Sequence, residues 1–205
     1  MVCHQAAKHY YPLHDDLHKI FAAKEADNPI EFLDSLGEVL MGEKGPYKDV
    51  KLLEEDFDPT RSRALLAFAS AKHERLFSLL DRREFDYLDV IAPSKNTPRS
   101  EVAFFAADFI CQSYQNAKVT RIDTNNLLGL AQYLDGQYLE LYDGGGANLE
   151  IGLTGSKIQA VAAAILSSRR KIAQAWYLSP DEFDEKRFST GVGSICVYDI
   201  KLGNN

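Results

Sequence analysis

Length, composition and charge set the first limits on this chain. It has 205 residues, of which 45% are hydrophobic and 26% are charged, which suits a globular protein of one domain, or of one domain with an appended segment. No apolar run approaches the roughly 18 residues that cross a bilayer, and a net charge of −7 argues against the basic face that a long nucleic acid requires.

The start of the chain predicts a cytoplasmic protein. Residues 1–11 contain no long apolar stretch followed by a cleavage site, so we expect no secretory signal. Cys3, Cys111 and Cys196 are far apart in the sequence, and the last two lie in apolar runs, as reduced core thiols do.

Residues 1–60 predict an acidic, mainly helical segment ahead of a domain at 61–205. The segment holds 6 Lys and 13 Asp or Glu residues. Tyr11–Ala23 has helical periodicity, and Asn28 is suited to cap a second helix. Val50–Leu53 is compatible with a short strand or with part of a helix. Such an acidic segment could dock a protein partner.

Histidines in this segment raise the question of a metal site. His14 and His18 are one helical turn apart, a spacing that can bind zinc. The sequence between them lacks the Glu of the HExxH motif. We therefore favour a solvated helix face and expect no metal.

From residue 61 onwards, apolar runs alternate with stretches of helical periodicity. This pattern is typical of βαβ units, and predicts a Rossmann-like α/β fold with a mostly parallel sheet and helices on both faces. Gly136–Leu141 fits either a strand or a helix end, and Asp181–Phe188 a helical turn. The predicted strands are Ala64–Ala69, Tyr87–Ala92, Ala117–Ile122, Leu149–Leu153 and Ile172–Leu178; the predicted helices are Glu74–Arg83, Glu101–Tyr114, Leu127–Leu134 and Ile158–Leu166.

A closing strand is predicted at Ile195–Ile200. It follows its neighbour without a long helix between them. We therefore expect this strand to pair antiparallel at an edge of the sheet.

The turn Thr154-Gly155-Ser156-Lys157 is the most informative motif. It joins a buried strand to a helix rich in alanine. Thr154 or Ser156 can cap that helix. The start of a helix attracts phosphate or carboxylate groups, and Lys157 adds a full positive charge. The turn therefore predicts an anion site.

Three further polar loops follow predicted strands: Ser70–His73, Ser94–Arg99 and Asp123–Asn126. Because ligands of open α/β sheets bind at the carboxyl ends of the strands, we expect all four loops to line one site. The predicted ligand-binding residues are Ser70, Ser94, Asn96, Thr97, Asn125, Thr154, Gly155, Ser156 and Lys157.

Three common motifs are absent from the sequence. There is no GxxxxGK[ST], no GxGxxG between a strand and a helix, and no GxSxG. An ATPase, a nicotinamide or flavin enzyme and a serine hydrolase are therefore disfavoured, and we expect no cofactor.

Residues 62–201 resemble the CARF-type Rossmann-like domains of prokaryotic CRISPR-associated and related defence proteins. The resemblance rests on strand order, on the short loop Ser70–Lys72, on the turn at Leu153–Lys157 and on the aromatic pair Trp176-Tyr177. It implies that the loop and the turn hold the phosphates of a cyclic oligonucleotide. Residues 1–60 are outside the resemblance.

Three functions remain open. The first is a defence sensor that binds a nucleotide-type ligand across a homodimer. The second is a ring nuclease, a metal-independent phosphodiesterase, in which Lys157 and Lys72 would stabilise charge and His73 would transfer protons. The third is a non-catalytic interaction subunit.

Overall fold

The computed structural model describes residues 2–6, 43–54, 57–95, 97–183 and 192–199. Strands and helices alternate from residue 63 onwards, and two strands precede them. The strands are β1 Val2–Ala6, β2 Glu43–Glu54, β3 Arg63–Phe68, β4 Tyr87–Pro93, β5 Ala117–Ile122, β6 Asn148–Gly152, β7 Gln174–Phe183 and β8 Val192–Val197. The helices are α1 His73–Asp81, α2 Pro98–Cys111, α3 Leu127–Tyr138 and α4 Lys157–Ser167, and a π-helical stretch, Leu139–Gly144, continues α3.

Six strands form one sheet in the order β2-β7-β6-β3-β4-β5. Strands β3 to β7 are parallel to one another, and β2 pairs antiparallel with β7. The predicted fold class, a Rossmann-like mostly parallel sheet with an antiparallel edge strand, is therefore confirmed. From β3 the chain first builds outwards through β4 and β5. It then returns to add β6 and β7 on the other side, which places a topological switch point between β3 and β6.

Apolar side chains explain why the central strands are buried on both faces. Residues 64–68 of β3 are all 1% exposed or less, as expected of a continuous apolar run in a parallel sheet. Successive residues point to opposite faces, so Leu65 and Ala67 pack against α1 and α2, whereas Leu66 and Phe68 pack against α3 and α4.

The antiparallel edge strand differs from the sequence prediction. It is β2, near the start of the chain, and not the closing strand. The closing strand β8 does pair antiparallel, but with β1 in a separate two-stranded sheet. Strand β6 covers only Gln174 to Trp176 of β7, while β2 pairs along β7 from Phe183 to Gln174. A strand remote in sequence therefore supplies the long partner that β7 requires.

Strand β7 is also longer than predicted. The predicted strand ends at Leu178 and a helical turn is predicted from Asp181, but the strand continues to Phe183. Pro180 lies opposite Tyr47 of β2. Beyond Trp176 the described part of β7 pairs with β2 alone, so a residue without an N–H group is tolerated there.

Part of the predicted N-terminal segment belongs to the sheet, because residues 43–54 form β2. The strand alternative for Val50–Leu53 is thereby confirmed. The helices predicted at Tyr11–Ala23 and from Asn28, together with His14 and His18, lie outside the described residues. None of the described helices is long and apolar enough to cross a membrane.

Candidate functional site at the carboxyl edge of the sheet

All four predicted loops leave the same edge of the sheet, since each follows the carboxyl end of a parallel strand. They are not equally close. Strands β3 and β6 are neighbours, with Ala67 opposite Gly152, so the loops at Ser70 and Thr154 begin side by side. Strand β5 is three strands from β6, roughly 14 Å away at the usual strand spacing. Asn125 is therefore remote from the turn at Thr154.

Thr154 joins the two central loops. Its hydroxyl donates a hydrogen bond to the carbonyl oxygen of Phe68 at 2.6 Å and accepts one from the Phe68 N–H at 3.1 Å. The residue is 1% exposed. The structure thus places this predicted ligand-binding residue in a structural role, holding the end of β3 against the end of β6.

Gly155 is required for space. A Cβ atom at this position would lie 2.6 Å from Cβ of Phe68 and 2.1 Å from Oε1 of Gln159. Both distances are shorter than contacts between non-bonded heavy atoms allow. The glycine therefore lets the turn pass closely over β3.

Ser156 caps α4 through a capping box. Its hydroxyl accepts from the N–H of Gln159, and the Gln159 side chain in turn accepts from the N–H of Ser156. The first N–H groups of a helix have no acceptor within it. The capping box provides acceptors for two of these N–H groups. The backbone N–H groups of Lys157 and Ile158 have no acceptor in the described part of the chain.

Lys157 is the first residue of α4 and is exposed. No ion pair joins it to any described residue. A cation and two N–H groups at the positive end of a helix dipole form the anion-attracting arrangement that the sequence predicts.

Ser70 and Lys72 follow β3 and are largely engaged within the chain. The Ser70 hydroxyl accepts from the N–H of Lys72 and donates to its carbonyl oxygen, both at 3.1 Å. The ammonium group of Lys72 lies 2.7 Å from a carboxylate oxygen of Glu43, the first residue of β2.

His73, the predicted proton-transfer residue, opens α1 and is only 7% exposed. Its Nδ1 atom lies 3.7 Å from a carboxylate oxygen of Glu74. The imidazole is therefore largely shielded from solvent.

The loops after β4 and β5 contribute caps and turns. Thr97 caps α2, with its hydroxyl 2.8 Å from that of Ser100, and Ser94 is exposed. The N–H of Asn125 donates to Asp123, and its carbonyl oxygen accepts from Tyr198. Asn96 lies outside the described residues.

Sequence reasoning missed a charged cluster at this edge, formed around Glu43. Glu43 is bound by Lys72, by Arg75 at 2.6 and 2.8 Å, and by the hydroxyl of Tyr47 at 3.1 Å. Burial by itself would raise the pKa of Glu43, but the hydrogen bonds and charges of Arg75 and Lys72 hold it below the ordinary value of 4.5. No local signal could have found this cluster, because Glu43 is 29 residues before Lys72.

A cleft of about 100 Å³ lies away from these loops, between α3 and α4. Its lining is largely apolar and includes one acidic and one basic side chain. The lining residues are Leu128, Ala131, Gln132, Asp135, Ile165, Leu166 and Arg169. The cleft is too small for a nucleotide, given that ligand pockets usually measure about 300 Å³ or more.

Comparisons with known proteins add no relative to this picture. No protein-family model matches the chain, and neither the curated proteins nor the solved structures contain a significant match.

Proposed function

We propose that this protein binds a phosphate-bearing, nucleotide-type ligand at the carboxyl edge of its sheet, between β3 and β6. The observation that carries the proposal is the start of α4, where exposed Lys157 lies beside two N–H groups at the switch point of the sheet. Ligands of open α/β sheets bind at this place, and phosphate groups favour helix starts.

The ligand we propose is a cyclic oligonucleotide second messenger, sensed in the cytoplasm as part of prokaryotic defence. Such a ligand carries several phosphate groups, whereas one chain offers this helix start once. Two copies of the chain would present two such sites, which supports a homodimer that holds one ligand. The acidic segment before residue 60 would then serve a protein partner.

Two observations favour binding over cleavage. The ammonium group of Lys72 is already 2.7 Å from Glu43, and His73 is buried beside Glu74. A metal-independent phosphodiesterase needs such groups at the ligand's phosphate. Ligand cleavage therefore remains the second candidate, and a non-catalytic interaction subunit the third.

Thermal unfolding tests the proposal directly. The wild-type protein would be heated with cyclic oligonucleotides, linear oligonucleotides, mononucleotides and dinucleotide cofactors in turn. A ligand at a hundredfold excess over its Kd stabilises the fold by about 2.7 kcal/mol. We expect a cyclic oligonucleotide to raise Tm, and no rise with any of these compounds would contradict nucleotide binding.

Substituting Lys157→Ala should abolish that rise in Tm. Arg169→Ala is the matched control, because it removes one exposed cation from just beyond the opposite end of α4. If the ligand raises the Tm of both variants equally, Lys157 does not contribute to the site. Chromatography of the ligand after long incubation separates the alternatives, since a sensor leaves the ligand intact.

A further inference from the structure

The Glu43 cluster has the composition of an occupied anion site. The Glu43 side chain is fully buried, with 0% of its surface exposed, and receives hydrogen bonds from an ammonium, a guanidinium and a phenol. Arg75 binds both oxygens, with Nη2 at 2.6 Å from one and Nε at 2.8 Å from the other. This paired geometry is the one by which arginine recognises carboxylates and phosphates.

The cations and the anion come from different parts of the fold. Lys72 directly precedes α1 and Arg75 lies in its first turn, so both belong to the carboxyl edge of β3, beside the switch point. Glu43 instead comes from the start of β2, the outer strand of the sheet. The carboxylate thus lies at the carboxyl edge although β2, the strand that carries it, is antiparallel to the other five strands of the sheet.

We infer that Lys72 and Arg75 form an anion-binding site that Glu43 fills as an internal competitor, and that a phosphate group displaces this carboxylate. The ligand class is a phosphate monoester or inorganic phosphate. A role in sensing the ligand of the proposed function would rest on that function, whereas the anion site itself does not.

Charge and access support exchange. The side chains of Lys72 and Arg75 are 17% and 11% exposed, so the site touches solvent although Glu43 does not. A phosphate monoester carries nearly two negative charges and three acceptor oxygens, compared with one charge and two oxygens for the carboxylate. The Arg75 guanidinium lies over the Tyr177 ring, 5.6 Å from its centroid, and this cation–π contact helps to hold the guanidinium in place.

Glu43 has the advantage of being attached to the same chain. A tethered group acts at an effective concentration in the millimolar range or above. Removing its charge should therefore raise the affinity of Lys72 and Arg75 for phosphate.

The experiment compares wild-type protein with Glu43→Ala and Glu43→Gln. Thermal unfolding would be followed in inorganic phosphate and in chloride at equal ionic strength. We expect both variants to have a lower Tm than wild type in chloride and to regain that Tm in phosphate. The Tm of the double variant Glu43→Ala with Arg75→Ala should not rise in phosphate. The Glu43→Gln variant keeps the size of the side chain and serves if Glu43→Ala does not fold.

Asp135→Ala is the control for general charge effects. Asp135 also binds an arginine through two oxygens, Arg170 at 2.8 and 3.3 Å, but it belongs to α3, which packs on the other face of the sheet from α1. The anion site is refuted if phosphate raises the Tm of Asp135→Ala as much as it raises the Tm of the Glu43 variants. It is also refuted if the Glu43 variants have the same Tm in chloride as in phosphate.

The two proposals fail separately. If Lys157→Ala abolishes nucleotide binding but the Glu43 variants show no phosphate-specific recovery, the inference about Glu43 is wrong and the proposed function stands. If phosphate restores the Glu43 variants while no nucleotide binds wild type, the anion site stands and the proposed function is wrong.

Discussion

Single residues at the carboxyl edge show how similar side chains acquire different roles. Thr154 and Ser156 are both hydroxyl residues of one turn. Thr154 is buried against the backbone of Phe68, whereas Ser156 is exposed and caps α4. Lys157 is the exposed cation of this turn, and no ion pair joins it to a described residue. Of the four residues in the turn, it therefore offers a charge to a ligand.

The charge of Glu43 should make stability depend on pH in the acidic range. Because its folded-state pKa is below the ordinary value of 4.5, the ionised carboxylate favours the folded state above that value. The contribution is lost as the pH falls through the folded-state pKa. We expect the difference in unfolding free energy between wild type and Glu43→Gln, measured in urea, to shrink on acidification.

A comparison of the two proteins is needed because Asp89 acts in the opposite direction. Burial raises the pKa of Asp89 above the ordinary value, and the hydrogen bonds from Tyr133 and Thr120 oppose that rise only in part. Its contribution is common to both proteins and cancels in the difference. If the difference in unfolding free energy between wild type and Glu43→Gln stays constant or grows as the pH falls, the role assigned to Glu43 is contradicted.

Two glycines occupy positions with different amounts of room for a side chain. Gly155 lies where a Cβ would overlap Phe68 and Gln159, while Gly136 is exposed in α3 with no atom within 4 Å of a Cβ. We expect Gly155→Ala to destabilise the protein by about 1–3 kcal/mol through strain at the turn. Gly136→Ala should stabilise it by about 0.4–1 kcal/mol, since alanine is the better helix former.

Urea unfolding of both variants measures these changes. Because the substitution is the same and only the site differs, each variant is the control for the other. Equal effects of the two substitutions would mean that the turn at Gly155 relaxes without strain.

Helix boundaries also show where local sequence was sufficient. Thr97, Asn126 and Ser156 each accept a hydrogen bond from a first-turn N–H, as expected of capping residues.

The stretch Gly136–Leu141, for which strand and helix end were both open, ends α3 and enters the π-helical stretch. Local periodicity does not distinguish these cases, because the stretch is short and flanks a run of glycines.

The whole molecule should unfold from the edges of its sheet. Strands β3 and β6 each have a neighbour on both sides, whereas β5 is an edge strand with mostly half-buried residues. We expect the amides of β3 and β6 to exchange hydrogen for deuterium most slowly, and those of β5 much faster. Native-state exchange followed by mass spectrometry tests this order. Protection of β5 equal to that of β3 would contradict it.

The sequence by itself determined the alternation of strands and helices, and with it the shared edge on which the loops of a parallel sheet meet. Apolar runs and capping residues are local signals, and they decide which segments are buried and where helices begin. The anion-attracting start of α4 could likewise be read from four consecutive residues.

Only the tertiary structure decided which of these side chains remain available to a ligand. Thr154 is engaged by Phe68 from 86 residues away, and Lys72 by Glu43 from 29 residues away. The same is true of β2, which joins β7 although more than a hundred residues separate them in the sequence. Pairings over such distances leave no periodicity within a sequence window, since they depend on where the chain returns in space.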